Sequence, residues 1–156
     1  MFSKIISAGT SGTEGYIVEV EAYMTKGLPG FSLVGLPNAA VKESKERIKS
    51  AVCNSGFRYP NKKIIVNLSP ADIKKEGSHY DLAIALAILR EVENIAEEKF
   101  EDIAFIGELS LDGKLKPIKA CTALILGLLK NSKIKKVIIP FENFNEASMI
   151  PGIEIL

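Results

Sequence analysis

The sequence predicts an α/β sandwich, an α+β arrangement in which helices pack on a mixed β-sheet. Three observations carry this expectation. Short apolar, β-branched segments of strand length recur along the 156 residues. Some of them are joined by Gly-containing turns and others by helical segments, so hairpins alternate with crossovers. Two of the helical segments are apolar on nearly every side, which requires burial against other elements. A composition of 47% hydrophobic and 25% charged residues supplies one domain with a core of ordinary size.

Taken in order, Phe2–Ile6 reads as a short strand and Gly9–Gly15 as a turn. From Tyr16 the chain alternates: Tyr16, Val18, Val20, Ala22 and Met24 fall on one face of a half-buried strand. Gly27-Leu28-Pro29-Gly30 turns into Phe31–Val34, and the short connection predicts a hairpin between these two strands. Gly35-Leu36-Pro37 ends the third strand. Asn38 is the expected N-cap of a helix running from Ala39 to about Asn54, with Gly56 as its stop. Val41, Ile48, Ala51 and Val52 form the apolar stripe of that helix. Lys42, Glu43, Lys45, Glu46, Arg47 and Lys49 form its solvated face.

The next stretch, VNLSPADIKKEGSHYDLAIALAIL, is the centre of the chain. Ile64–Leu68 reads as a strand halted at Ser69-Pro70, because proline cannot donate to a sheet and pushes its predecessor away from helix. Ser78 and Asp81 have the spacing of a capping box. The helix that follows is apolar from Leu82 to Leu89. After a polar connection, Glu91–Lys99, the strands Ile103–Glu108 and Lys114–Ile118 flank Leu111-Asp112-Gly113, a strong hairpin signal. Lys119–Leu129 is an apolar helix, Val137–Ile139 a buried strand stopped by Pro140, Phe141–Met149 a short helix and Ile153–Leu156 a last strand. The apolar ending PGIEIL reads as a chain cut from a longer one.

Several function classes lose support at this stage. A net charge of +1 gives no global attraction to nucleic acid or membrane, and no apolar run approaches the roughly 18 residues of a membrane span. Cys53 and Cys121 are far apart, both in predicted helices. They are read as buried thiols of a cytoplasmic protein, with no metal site. Gly9, Gly12 and Gly15 precede an alternating strand where a phosphate cradle would open a helix, so a plain loop is favoured.

Two constellations remain. The first is basic: Lys42, Lys45, Arg47, Lys49, Arg58, Lys62 and Lys63 lie near Phe57 and Tyr59, with Lys74 and Lys75 following. Such a set can hold phosphates while aromatic rings stack on bases. The nearly neutral overall charge favours a solvated helix face over that reading. The second is the loop at the only histidine. His79 could act as a general base, with Ser78 as nucleophile and Lys74, Lys75 or Glu76 nearby. The cap pattern explains Ser78 and Asp81 without any chemistry.

Three long motifs, GLPGFSLVGLPNAAVKESKERIKSAVCNSGF, VNLSPADIKKEGSHYDLAIALAIL and FIGELSLDGKLKPI, resemble the N-terminal domain of the magnesium-chelatase-like AAA+ ATPases, the YifB/ComM family. The likeness covers nearly the whole chain, as a single domain over residues 1–156. It implies a fold like the proteolytic domain of Lon and the second domain of ribosomal protein S5. Set against Lon's dyad, the loop Lys75-Glu76-Gly77-Ser78-His79 puts His79 at the nucleophile position. Counting on from Gly107-Glu108 puts Thr122 at the lysine position. The resemblance thus implies no catalytic residues in this chain. It also implies a longer hexameric parent whose AAA+ module, beyond the chain end, binds ATP and magnesium and drives DNA branch migration during competence. The expected partners are that module, neighbouring subunits and DNA. Candidate nucleic-acid contacts are Lys42, Lys45, Lys49, Lys62, Lys63, Lys74 and Lys75. The rival expectations are a Lon-like serine peptidase using Ser78 with Lys74, Lys75 or Lys119, and a stand-alone assembly or nucleic-acid-binding module.

Overall fold

The computed structural model describes residues 2–156. Among the described residues, nine strands and five α-helices make a mixed α/β fold. The strands are β1 Phe2–Ser11, β2 Glu14–Thr25, β3 Gly30–Val34, β4 Lys63–Ser69, β5 Ile103–Phe105, β6 Glu108–Leu109, β7 Leu115–Lys116, β8 Lys136–Ile138 and β9 Glu154–Ile155. The helices are α1 Ala39–Lys42, α2 Ser44–Asn54, α3 Asp81–Val92, α4 Cys121–Leu128 and α5 Phe144–Ala147. Seven strands form one sheet in the order β3-β4-β2-β1-β5-β8-β9, and β6 and β7 form a separate hairpin. None of the described helices is long and apolar enough to cross a membrane.

The alternation read from β2 holds, with Val18, Val20, Ala22 and Met24 all buried. β1 is longer than expected: it runs to Ser11, and the supposed glycine-rich loop narrows to Gly12-Thr13 between paired strands. The side chains of the two strands divide the interior. Ile5, Val18 and Val20 face a core shared with α2 and α3. Ile6, Ala8 and Ile17, on the opposite face, pack with α4 and the strands around β8. Since neighbours along a strand point to opposite faces, α3 and α4 cover opposite sides of the sheet. The parallel half around β5 and β8 is thus clad on both sides, whereas β2 and β4 leave one face with Tyr23, Glu21 and Asn67 open or half-open. Close approach of α4 depends on two glycines: a Cβ on Gly127 would lie 2.5 Å from the Gly15 carbonyl carbon, and one on Gly15 would overlap the Ala123 carbonyl oxygen.

Four local expectations are corrected. β3 does not form a hairpin with β2. It pairs in parallel with β4, which lies antiparallel to β2 and separates the two. Ile64, Val66 and Leu68 of β4 are completely buried, while β3 is an edge with alternate residues exposed. The more apolar strand takes the central place, and a local turn cannot report that. The helix after Asn38 is interrupted at Glu43, although Asn38 does cap it, its Oδ1 accepting the Val41 N–H at 3.0 Å. Cys53 is exposed, and only Cys121 is buried.

The fourth correction concerns α3. Ser78 and Asp81 do not make a capping box. Ser78 offers its backbone carbonyl to the Asp81 N–H at 3.3 Å, and the helix start has no side-chain cap. The Asp81 carboxylate is turned instead toward Arg47 of α2, which donates Nε–H at 2.7 Å and Nη2–H at 3.0 Å. The Leu109 N–H of β6 adds a third bond at 3.1 Å. Arg47, expected on a solvated face, is therefore a strut. Burial pushes the Asp81 carboxyl above its ordinary value, more strongly than Arg47 and the Leu109 amide pull it down. The less covered Arg47 guanidinium is raised, mainly by its bond to Asp81. These directions oppose each other for the charged pair. The bidentate geometry holds both groups ionised, and desolvation of the carboxylate cancels much of the attraction, so the pair locates elements more than it adds stability. Removing one partner is different, because it strands a buried charge. Arg47→Ala is expected to lower unfolding stability by about 3 kcal/mol, while Lys45→Ala on the exposed face changes it by less than about 0.5 kcal/mol. Urea denaturation of both variants checks this, and equal midpoints would contradict it.

Candidate functional site

The loop between β4 and α3 is tied down from three directions. The Lys75 N–H donates to the Leu36 carbonyl at 2.9 Å, and the Lys75 carbonyl accepts the Asn38 N–H at 3.0 Å, which fastens the loop to the start of α1. The Gly107 N–H donates to the His79 carbonyl at 2.9 Å, and the Leu82 N–H donates to the Gly107 carbonyl at 3.1 Å, which stitches the other end to the strand before β6. The third tie is the histidine ring itself. His79 Nε2 lies 2.9 Å from the Ala8 carbonyl oxygen of β1. A carbonyl only accepts, so Nε2 carries the proton and the neutral tautomer is fixed. The ring stacks on Tyr80 with centroids 4.2 Å apart. Burial, outweighing that hydrogen bond, drives its pKa down to about 4.

The lysines of this loop are committed as well. Lys75 is wholly buried and its Nζ donates to the Pro70 carbonyl. Desolvation lowers its pKa, and the nearby Asp72 charge only partly offsets this. It cannot reach a polynucleotide, which removes it from the basic set read in the sequence. Lys74 is exposed and pairs with Glu76 at 3.9 Å. A pocket of about 420 Å³ opens beside the loop, and Ser78, His79, Lys119, Arg47, Glu43 and Glu108 help to line it. Thr122 does not line it and is exposed on α4. The side chains at the two positions matched to a protease dyad thus lie in different settings: one half-buried against β1, one in solvent.

The basic residues gather elsewhere. Lys45 and Lys49, one turn apart on α2, face the segment that leads from α2 to β4. There Arg58 and Lys62, with Phe57 and Tyr59, complete a cleft of about 590 Å³. Phe31 of β3 joins its wall, a contribution that nothing in the sequence announced. No residue lining the cleft is acidic. Lys49 Nζ sits 5.7 Å from the centre of the Tyr59 ring, within range of a cation–π contact. Burial is the main cause that pushes the Tyr59 hydroxyl up to about 12, with the charge of nearby Glu46 adding to it. Lys42 and Lys63 are exposed but outside the cleft, and Lys74 belongs to the other loop.

Comparison with known proteins agrees with this architecture. Residues 20–143 match the family described as subunit ChlI of Mg-chelatase. The protein YifB of Escherichia coli is 41% identical over 135 residues, 86% of this chain and 26% of that protein. The competence protein ComM of Haemophilus influenzae is 38% identical over 146 residues, 94% of this chain and 28% of that protein. A Lon protease of Trichlorobacter lovleyi is more distant, 27% identical over 144 residues, and fits the observed fold. The chain spans less than a third of the length of YifB and ComM. On the family match across the core of the fold and these similarities, the chain belongs to the magnesium-chelatase ChlI-like family that includes YifB and ComM.

Proposed function

We propose that this chain is a non-proteolytic N-terminal domain of a YifB/ComM-type ATPase. In this reading the parent is a cytoplasmic hexamer. An AAA+ module outside the chain binds ATP and magnesium, and the ring drives branch migration of DNA in recombination of incoming strands. The present domain packs on that module and on neighbouring subunits, and offers DNA a basic surface at Lys45, Lys49 and Lys62, with Lys42 and Lys63 at its margin. The observation that carries the non-proteolytic part is the state of His79. Its Nε2–H is spent on Ala8 O, and a ring with pKa about 4 is a poor proton acceptor at neutral pH. The support for DNA contact is the acid-free basic cleft.

One observation favours the rival peptidase: Ser78 and Lys119 border the same pocket. A serine is activated only by a base within hydrogen-bond reach, and among the described residues no bond joins Ser78 to a lysine or to His79. A serine-reactive fluorophosphonate is therefore expected to leave the chain unlabelled. Ser78-dependent labelling, lost in Ser78→Ala, would establish the peptidase instead.

His79 makes a prediction about acid stability. Its folded pKa lies below the value of about 6.5 that it has unfolded. The unfolded chain therefore binds the extra proton between those values, and stability falls as pH drops from about 6.5 to about 4. The contribution is fully present above that window and amounts to about 3 kcal/mol. Denaturation across this range is expected to show the loss, and His79→Gln to flatten it. An unchanged slope in the variant would assign the acid limb to other groups.

For the DNA surface, Lys45→Glu with Lys49→Glu is expected to weaken binding of duplex DNA. It is also expected to reduce the slope of log K against log salt by about 1.8, two phosphate contacts' worth. Unaltered affinity and slope, measured by fluorescence anisotropy, would sink the assigned surface.

A further inference from the structure

The geometry of the basic cleft points to a narrower ligand than DNA in general: a single strand of nucleic acid, with an unpaired base stacked on Phe57 beside the Lys49–Tyr59 pair. This rests on the reading of the cleft as a nucleic-acid surface and specifies what enters it. The cations and the rings are interleaved around one hollow. Lys45 and Lys49 rise from α2 on one side, Arg58 and Lys62 from the facing segment, and Phe57 and Tyr59 lie between and beside the latter pair. Phe57 is 43% exposed although it is a large apolar ring, so much of it is open to a partner. Tyr59, packed partly on the core with Lys49 over its ring, holds that cation beside a base stacked on Phe57.

Size and charge select among polynucleotides. At about 590 Å³ the hollow has the dimensions of a small-ligand pocket, able to take bases but not a double helix. In a duplex the base faces are hidden in the stack, and only the backbone could touch the rim. A single strand exposes both: phosphates for the four cations, and ring faces for the aromatics. The path is one-sided. On the other flank of the Arg58–Lys62 segment a second hollow of about 470 Å³ contains Glu91, whose carboxylate would repel a phosphate. The acid-free side is therefore where the strand lies. Cys53, the exposed thiol, is in the wall of that side.

The test uses the chain with a fluorescent oligothymidylate, a blunt duplex of equal length and thymidine monophosphate. The oligothymidylate is expected to bind at least tenfold more tightly than the duplex and to shield Cys53 from maleimide, which the duplex does not. Phe57→Ala is expected to weaken oligothymidylate binding on the order of tenfold with an unchanged salt slope, the signature of lost stacking. Phe57→Tyr is expected to retain it. Lys45→Ala with Lys49→Ala is expected to reduce the slope by about 1.4. Circular dichroism melts confirm that each variant is folded. Equal affinity for single strand and duplex, with Phe57→Ala silent, would overturn the single-strand assignment and leave the DNA-contact reading standing. Binding of the monophosphate as tight as the oligomer would make the cleft a nucleotide pocket and overturn it too. No binding of any of the three would overturn both this inference and the DNA surface it rests on.

Discussion

A single buried carboxylate holds the two halves of the molecule's working end in place. Asp81 opens a largely apolar helix and is shut off from solvent. It must find donors within the protein, because an unpaired buried charge would cost more than the fold could tolerate. It finds them in Arg47 from α2 and in the Leu109 amide from the β6–β7 hairpin. Three elements far apart in sequence are thereby fixed to one point. α2 is held so that its opposite side, with Lys45 and Lys49, faces the Phe57–Lys62 segment. The hairpin is held so that Gly107 can bond to His79. The loop at His79 and the basic cleft are thus positioned from two sides of one helix, α2.

That arrangement supports the proposal that the domain is non-proteolytic. Catalysis by a serine–lysine pair requires two side chains aimed at each other across a pocket. Here the loop is present, its backbone is bound on several sides, and a pocket lies beside it, but His79 and Lys75 are used internally. His79 is spent on Ala8, Lys75 on Pro70 and Arg47 on Asp81. The same tethers that would hold a catalytic residue still now hold a neutral ring and a buried amine. The loop contributes order to the sheet, and the exposed positive charge collects on the far side of α2, where no acid lines the cleft.

The sheet shows a similar division. Around β5 and β8, strands are short, parallel and covered on both faces, with Ala8, Ala104 and Val137 fully buried. β2 and β4 are longer, and beyond the start of β2 they are covered on one face only. Gly15 and Gly127 let α4 lie directly on the backbone of β2, which places that helix, and Thr122 with it, on the side away from α3. The separation of Thr122 from the His79 pocket is a consequence of this layering as much as of the residue types.

The sequence by itself determined the periodic features. Alternation in β2, the apolar girth of α3, the cap at Asn38 and the Asp112-Gly113 hairpin were legible because each depends on residues within a few positions of one another. The three family motifs were legible for the same reason, being contiguous. The tertiary structure alone decided what depends on residues far apart. The insertion of β4 between β2 and β3 follows from competition for the buried centre of the sheet. The use of Asp81 by Arg47, 34 residues away, replaced a capping box that local spacing favoured, because a buried charge needs a stronger partner than a backbone amide gives. The division of the lysines was equally invisible in the chain: Lys75 is sealed in the interior next to exposed Lys74, while Lys45, Lys49 and Lys62 join a phenylalanine from β3. Burial is set by the whole packed surface around a side chain, and no count of charges along a sequence contains it.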